Sequence, residues 1–129
     1  MQISIQARNF RLTNAISSYV KRRLSFALKN RDEQIQRISV RLSDINGPRG
    51  GEDKCCHIQV VIPNLANVVI EDIEIDLYAA IDGAVDRVRR TVDRRITRQR
   101  DIKRTVDRSK MEYHLKLNSS EIHYLAEAL

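Results

Sequence analysis

From Gln2 to Arg8 apolar and polar residues alternate, with Ile3, Ile5 and Ala7 on one side and Gln2, Ser4, Gln6 and Arg8 on the other. A period of two is that of a half-buried strand, because successive side chains leave opposite faces of the pleat. Residues 9–12 read as a connector. Thr13 reads as a helix N-cap, since its hydroxyl can accept from an unpaired backbone N–H. Ile16, Val20, Leu24 and Ala27 or Leu28 then recur every three or four residues, the stripe of an amphipathic helix. Tyr19 and Phe26 are expected to widen its apolar side, and polar residues 30–33 end it. A second strand, 35–45, sets Ile38, Val40 and Leu42 on one face. Residues 46–54, Asn-Gly-Pro-Arg-Gly-Gly-Glu-Asp-Lys, form a loop, because glycine and proline break regular pairing. A third strand, 55–62, aligns Cys56, Ile58, Val60 and Ile62. A turn follows at 63–67, and a fourth strand covers 68–75.

The period then changes. Residues 76–108 carry Ile81, Val85, Val88, Val92 and Ile96 at helical spacing. Asp76 suits the start, as N-cap or as a first-turn acid against the helix dipole. Gly83 costs about 1 kcal/mol relative to Ala inside a helix, so its presence suggests close packing against the sheet. To residue 108 the helix would be ~48 Å long, longer than so small a domain is wide. Residues 109–129 read as a tail with a short capped helix at 119–129, from Ser119-Ser120-Glu121 and the spacing of Ile122, Leu125, Ala126 and Leu129. Docking on the domain, pairing with another copy and disorder are all open to it. The order β-α-β-β-β-α implies an α+β two-layer sandwich, a four-stranded sheet with two helices on one face. This is close to a double-stranded-RNA-binding domain with an added first strand. The chain of 129 residues fits one domain, 1–108, plus the tail.

Charge sharpens this picture. Between residues 86 and 108 stand ten Lys/Arg and four Asp, a net +6, which equals the net charge of the whole chain. The rest is balanced. At ~100° per residue Arg87, Arg90, Arg94 and Arg98 share one side of the helix, away from the apolar stripe, while Asp82, Asp86 and Asp93 share another flank. A pI near 9.7 with the excess confined to one helix favours a polyanionic partner over a merely solvated surface. Lys21, Arg22 and Arg23 cluster on the first helix, which fits a solvated face as well as a second patch.

Other chemistries find little support. The loop at 46–54 lacks the Gly-Lys-Ser/Thr ending and following helix of a phosphate cradle. Glu71, Asp72, Glu74 and Asp76 are clustered, but strand alternation turns Glu71 away from Asp72 and Glu74, and no nucleophile or histidine adjoins them. His57, His114 and His123 are scattered, and Cys55 and Cys56 read as reduced strand residues, so neither a metal nor a cofactor is expected. An enzyme is not expected. No run approaches the ~18–20 apolar residues of a membrane span, and the opening residues lack a signal peptide's apolar core. The expectation is a cytoplasmic chain.

Ile5-Gln-Ala-Arg-Asn-Phe-Arg-Leu-Thr13, then Tyr19-Val20 with Arg23, and above all Asp76-Leu-Tyr-Ala-Ala-Ile-Asp-Gly83 carry a resemblance over residues 1 to about 100. The chain resembles the ribosome hibernation promoting factors, also called ribosome-associated inhibitor or sigma-54 modulation proteins. The last block is similar to that family's Asp-Met-Tyr-Ala-Ala-Ile-Asp signature. The resemblance implies a non-enzymatic protein that binds the small ribosomal subunit and its rRNA near the decoding centre, across the mRNA channel and the A and P tRNA sites. It implies inhibition of translation in stationary phase or stress. Arg87, Arg90, Arg94 and Arg98 fall where the family carries Lys or Arg and would contact rRNA phosphates, with Arg22 and Arg23 as a second patch. Arginine suits that role because its planar fork donates two bonds and stays charged. Neither a membrane nor a small-molecule substrate is implied. The chain departs from the family's short members in its longer Gly-Pro-Arg-Gly-Gly loop and in Ser25-Phe-Ala-Leu28, which replaces a lysine-rich run. The long form's C-terminal dimerisation domain is not expected here, and the tail does not decide between assisting and opposing ribosome dimerisation. A protein-interaction regulator of transcription, acting through the tail, or another basic RNA-binding module are the competing readings.

Overall fold

The structure is a computed structural model that describes the backbone of residues 1–45 and 53–128, and the side chains of 1–45, 53–106 and 108. The glycine-rich loop therefore lies, through residue 52, outside the described residues, as do Leu129 and the side chains of the tail. The element order is β1 (Gln2–Arg8), α1 (Asn14–Ala27), a 3-10 helix (Lys29–Gln34), β2 (Arg37–Asp44), β3 (Lys54–Val61), β4 (Val68–Glu74) and α2 (Leu77–Ala128). The α+β reading and the order of elements hold. The chain divides into two compact units, Met1–Asp93 and Arg94–Leu129.

In the first unit the sheet is ordered β1-β2-β3-β4. β1 runs parallel to β2, with Ile3 opposite Ile38 and Ala7 opposite Leu42. β2–β3 and β3–β4 are antiparallel. This register puts the apolar positions of neighbouring strands in line. Ile38, Val40 and Leu42 of β2 and Cys56, Ile58 and Val60 of β3 are all buried on one face. Val20 and Leu24 of α1, with Leu28 just beyond it, and Ala80, Ile81, Ala84, Val85, Val88 and Val92 of α2 complete the core. The other face, with Gln2, Ser4, Gln6, Arg37, Ser39 and Arg41, is open to solvent. One covered and one wet face is the usual condition of a sheet with antiparallel pairs.

Local chemistry sets the joints. Thr13 caps α1 as expected, its Oγ1 accepting from the Ile16 N–H at 3.2 Å. Asn9 turns the chain out of β1 at φ 66°, a left-handed conformation that Asn tolerates. Its Nδ2 donates to the Asp44 carbonyl at 3.2 Å, tying the connector to the end of β2. Pro63 and Asn64 occupy the centre of a turn closed by Leu65 N–H to Ile62 O at 3.1 Å. Asn64 has φ 68°, the positive value that the third residue of a type II turn requires.

Two expectations change. Phe26 does not widen the apolar side of α1: it is 78 % exposed. Two residues beyond buried Leu24 it lies about 200° round the helix, on the opposite side. And α2 extends beyond the expected 76–108, since helix is assigned through 109–118 and on to Ala128. No Gly or Pro follows Gly83, so nothing local terminates it.

Gly83 packs as its cost implied. A methyl at this position would overlap the Asp72 carboxylate of β4. Gly83 thus leaves room beside α2 for the Asp72 side chain of β4. Gly83→Ala is expected to destabilise the protein despite alanine's better helix propensity. In an Asp72→Ala background the same change should instead stabilise by up to ~1 kcal/mol. Urea unfolding of the four proteins checks this, and equal effects in both backgrounds would remove Asp72 as the reason for the glycine.

Candidate nucleic-acid interface

The flank of α2 that carries Asp82, Asp86 and Asp93 meets α1 and the 3-10 helix. Asp82 Oδ1 accepts from the Tyr19 hydroxyl at 2.5 Å and from Arg23 Nε at 3.0 Å. Arg23 also reaches Asp86 at 3.7 Å, and Arg31 Nε donates to Asp93 at 3.1 Å. Tyr19 is the centre of this joint. Its ring packs edge-on against Tyr78, centroids 4.8 Å apart at 75°, and the Arg22 guanidinium lies 5.8 Å from its centroid, within cation–π range. The bond to Asp82, with partial burial, raises the Tyr19 pKa above its ordinary value, because the phenolate would face a carboxylate.

These contacts sort the arginines read from the sequence. Arg23 is half-buried and engaged by two carboxylates, so it holds the two helices together. Arg22 is exposed beside Tyr19. Arg87 and Arg90 are exposed on α2 in the first unit. Arg87 Nη1 donates to the Glu71 backbone carbonyl at 2.9 Å, and Arg90 Nε to the Asp86 carbonyl at 3.4 Å. Carbonyl partners orient a guanidinium without cancelling its charge. Arg94 and Arg98 belong to the second unit and are exposed there.

The sequence did not show that the acidic flank serves α1. The signal was there in part: Asp82 and Asp86 are four apart, so both face one way on α2. Nothing in one sequence says that this side meets α1. Three further arginines, Arg8, Arg37 and Arg41, are exposed on strands whose polar positions form the sheet's open face. They escape notice in a charge count because acids elsewhere balance them.

The β4 acids have separate surroundings, as alternation required. Asp72 lies over Gly83, while Glu71 accepts from the Cys55 thiol at 3.2 Å. Both cysteines are free and buried on β3. Burial foremost, then the Glu71 carboxylate, pushes Cys55 to about 11. Deeper burial, then Cys55 beside it, pushes Cys56 to about 12. Thiols so protonated are poor nucleophiles and poor metal ligands. Among the described residues no group of three or more His, Cys, Asp or Glu could hold a metal ion. No helix of the described residues is long and apolar enough to cross a membrane.

The family profile described as sigma 54 modulation protein / S30EA ribosomal protein matches residues 3–100. The chain belongs to this family. The S30EA family is one of non-enzymatic, ribosome-associated modulation proteins. Its match spans the sheet from residue 3 of β1 onward, α1 and the part of α2 that carries Arg87, Arg90, Arg94 and Arg98. The crystal structure of the Thermus thermophilus Protein Y N-terminal domain is similar, at 34 % identity and a TM-score of 0.61, covering 73 % of this chain and 98 % of that one. A ribosomal subunit interface protein from Coxiella burnetii, at 12 % identity, shares the fold with a TM-score of 0.64, covering 75 % of this chain and 99 % of that one. No curated protein matches the sequence.

Two measurements probe the joint and the thiols. Tyr19→Phe keeps the ring packing but removes the bond to Asp82, and about 1 kcal/mol of stability should go with it. Asp82→Ala should cost somewhat more, since the partly exposed pair with Arg23 adds under ~1 kcal/mol. In the double variant the two losses should not add, which chemical denaturation can read. The raised thiols, with Tyr19, stabilise fully below about pH 9, and that stability is lost as pH rises toward 11 and 12. The melting temperature is therefore expected to be flat around neutrality and to fall above pH 9. A thiol reagent at pH 8 should label the protein fast only in denaturant; rapid labelling of the native protein would contradict the burial.

Proposed function

We propose that this protein is a ribosome hibernation factor. It binds the small ribosomal subunit near the decoding centre, across the mRNA channel and the A and P tRNA sites, and inhibits translation in stationary phase or stress. Residues 1–108 act as the ribosome-binding domain, with 109–129 as a tail. The observation that carries this reading is family membership over the residues that bear the arginine-rich face of α2. The protein from Coxiella burnetii is described as a ribosomal subunit interface protein, which agrees with it.

Arg87, Arg90, Arg94 and Arg98 contact rRNA phosphates, with Arg22 and Arg23 as a weaker patch. Exposed guanidiniums suit a phosphate backbone because they keep full charge and donate in pairs. Arg23, already held by Asp82 and Asp86, contributes mainly by fixing α1 against α2. Contacts made chiefly to phosphates recognise the shape of rRNA rather than its sequence.

Co-sedimentation with purified small subunits tests this. Binding should weaken steeply with salt, because each phosphate contact releases counterions. Changing Arg87, Arg90, Arg94 and Arg98 together to Glu should lower affinity by about 100-fold or more and leave the melting temperature near that of the native protein. Persistent sedimentation of a folded quadruple variant would show that α2 is not the contact. Recovery of RNA polymerase components without ribosomes after nuclease treatment would favour a transcriptional role instead.

A further inference from the structure

Within the first unit, α1 and α2 border a groove of about 510 Å³. Arg23, Phe26, Ala27, Lys29 and Asn30 line it from one side, and Asp86, Arg89 and Asp93 from the other. Its size falls in the ~300–1,000 Å³ range of small-ligand clefts, which admits one nucleotide.

Phe26 is the unusual member. It is 78 % exposed, the highest value among the described large hydrophobics left in solvent. The two acids of the groove are already engaged, Asp86 with Arg23 and Asp93 with Arg31. Lys29 and Arg89 are exposed, and no ion pair to a described residue involves either. What the groove offers is therefore one bare aromatic face and two uncommitted cations. A protein or membrane partner would need a contiguous apolar patch, yet only Ala27 adjoins Phe26 here, among charged neighbours. An aromatic face flanked by cations is instead the combination that holds an unstacked base and its backbone.

We propose that this groove is a subsite for one unstacked RNA nucleobase, which stacks on Phe26 while Lys29 and Arg89 hold the adjoining phosphate. The subsite rests on the RNA-contact reading above and adds a base contact to a surface otherwise limited to phosphates. Asp86 and Asp93, at the same walls, favour a base edge that presents donors.

The chain has no tryptophan, so Phe26→Trp places a single indole reporter in the groove. Its exposure makes this change, and Phe26→Ala, safe for folding. Val69→Trp, on a β4 residue that is 53 % exposed, serves as the control. Indole emission at position 26, and not at 69, should be quenched by small subunits and by a single-stranded RNA oligomer. An abasic oligomer with the same number of phosphates should leave it unchanged. Phe26→Ala should weaken RNA binding about tenfold or more and Phe26→Tyr should not. Co-sedimentation without quenching at position 26 would overturn the subsite while leaving ribosome binding intact. Equal quenching at both positions, or by the abasic chain, would overturn it too. Quenching by the RNA oligomer without any binding to subunits would sustain the base site and sink the ribosomal reading.

Discussion

Asp82 accepts from Tyr19 and Arg23 together, and that junction fixes which side of α2 meets α1. A helix offers about 360° of surface, and in the first unit α2 divides its own into three parts. One, with Ile81, Val85, Val88 and Val92, is buried against the sheet. The second, with Asp82, Asp86 and Asp93, is occupied by α1 and the 3-10 helix. The third, with Arg87 and Arg90, faces solvent. The acids therefore do more than offset charge: by taking up Arg23 and Arg31 they keep the arginines of the third face from being neutralised within the molecule.

The close approach of α2 to β4 follows from the same economy of space. Gly83 leaves room for the Asp72 carboxylate, and Ala80 and Ala84 keep the neighbouring turn thin. The packing joins the N-terminal part of α2 to the sheet just before Arg87 and Arg90. Held charges would matter for the proposed rRNA contact, because phosphate spacing is recognised by charges kept in place. Phe26 reflects the opposite arrangement, an apolar ring the core does not use. Leaving such a ring in water forgoes the ~1.5–3 kcal/mol its burial would contribute.

Much of this was legible along the chain, and some was not. The strands β2 and β3 were clear because Ile38, Val40 and Leu42, and Cys56, Ile58 and Val60, recur at every second position and all are buried. The cap at Thr13 and the turn at Pro63-Asn64 were clear because each depends on residues within three positions. Phe26 departs from the apolar stripe because hydrophobicity does not fix a residue's angle: about 200° from Leu24, it faces outward. The expected end of α2 at 108 does not hold because no Gly or Pro follows Gly83 to break the helix.

The sequence by itself determined the elements, their order and the place of the excess charge, because periodicity, capping and charge are local properties of the chain. It also determined family membership, through the match over residues 3–100. Tertiary structure decided which charges remain available. Arg22 and Arg23 are neighbours in sequence, yet one lies exposed beside a ring and the other is held between two carboxylates. That difference arises from residues some sixty positions away on α2, brought close only when both helices pack on one sheet.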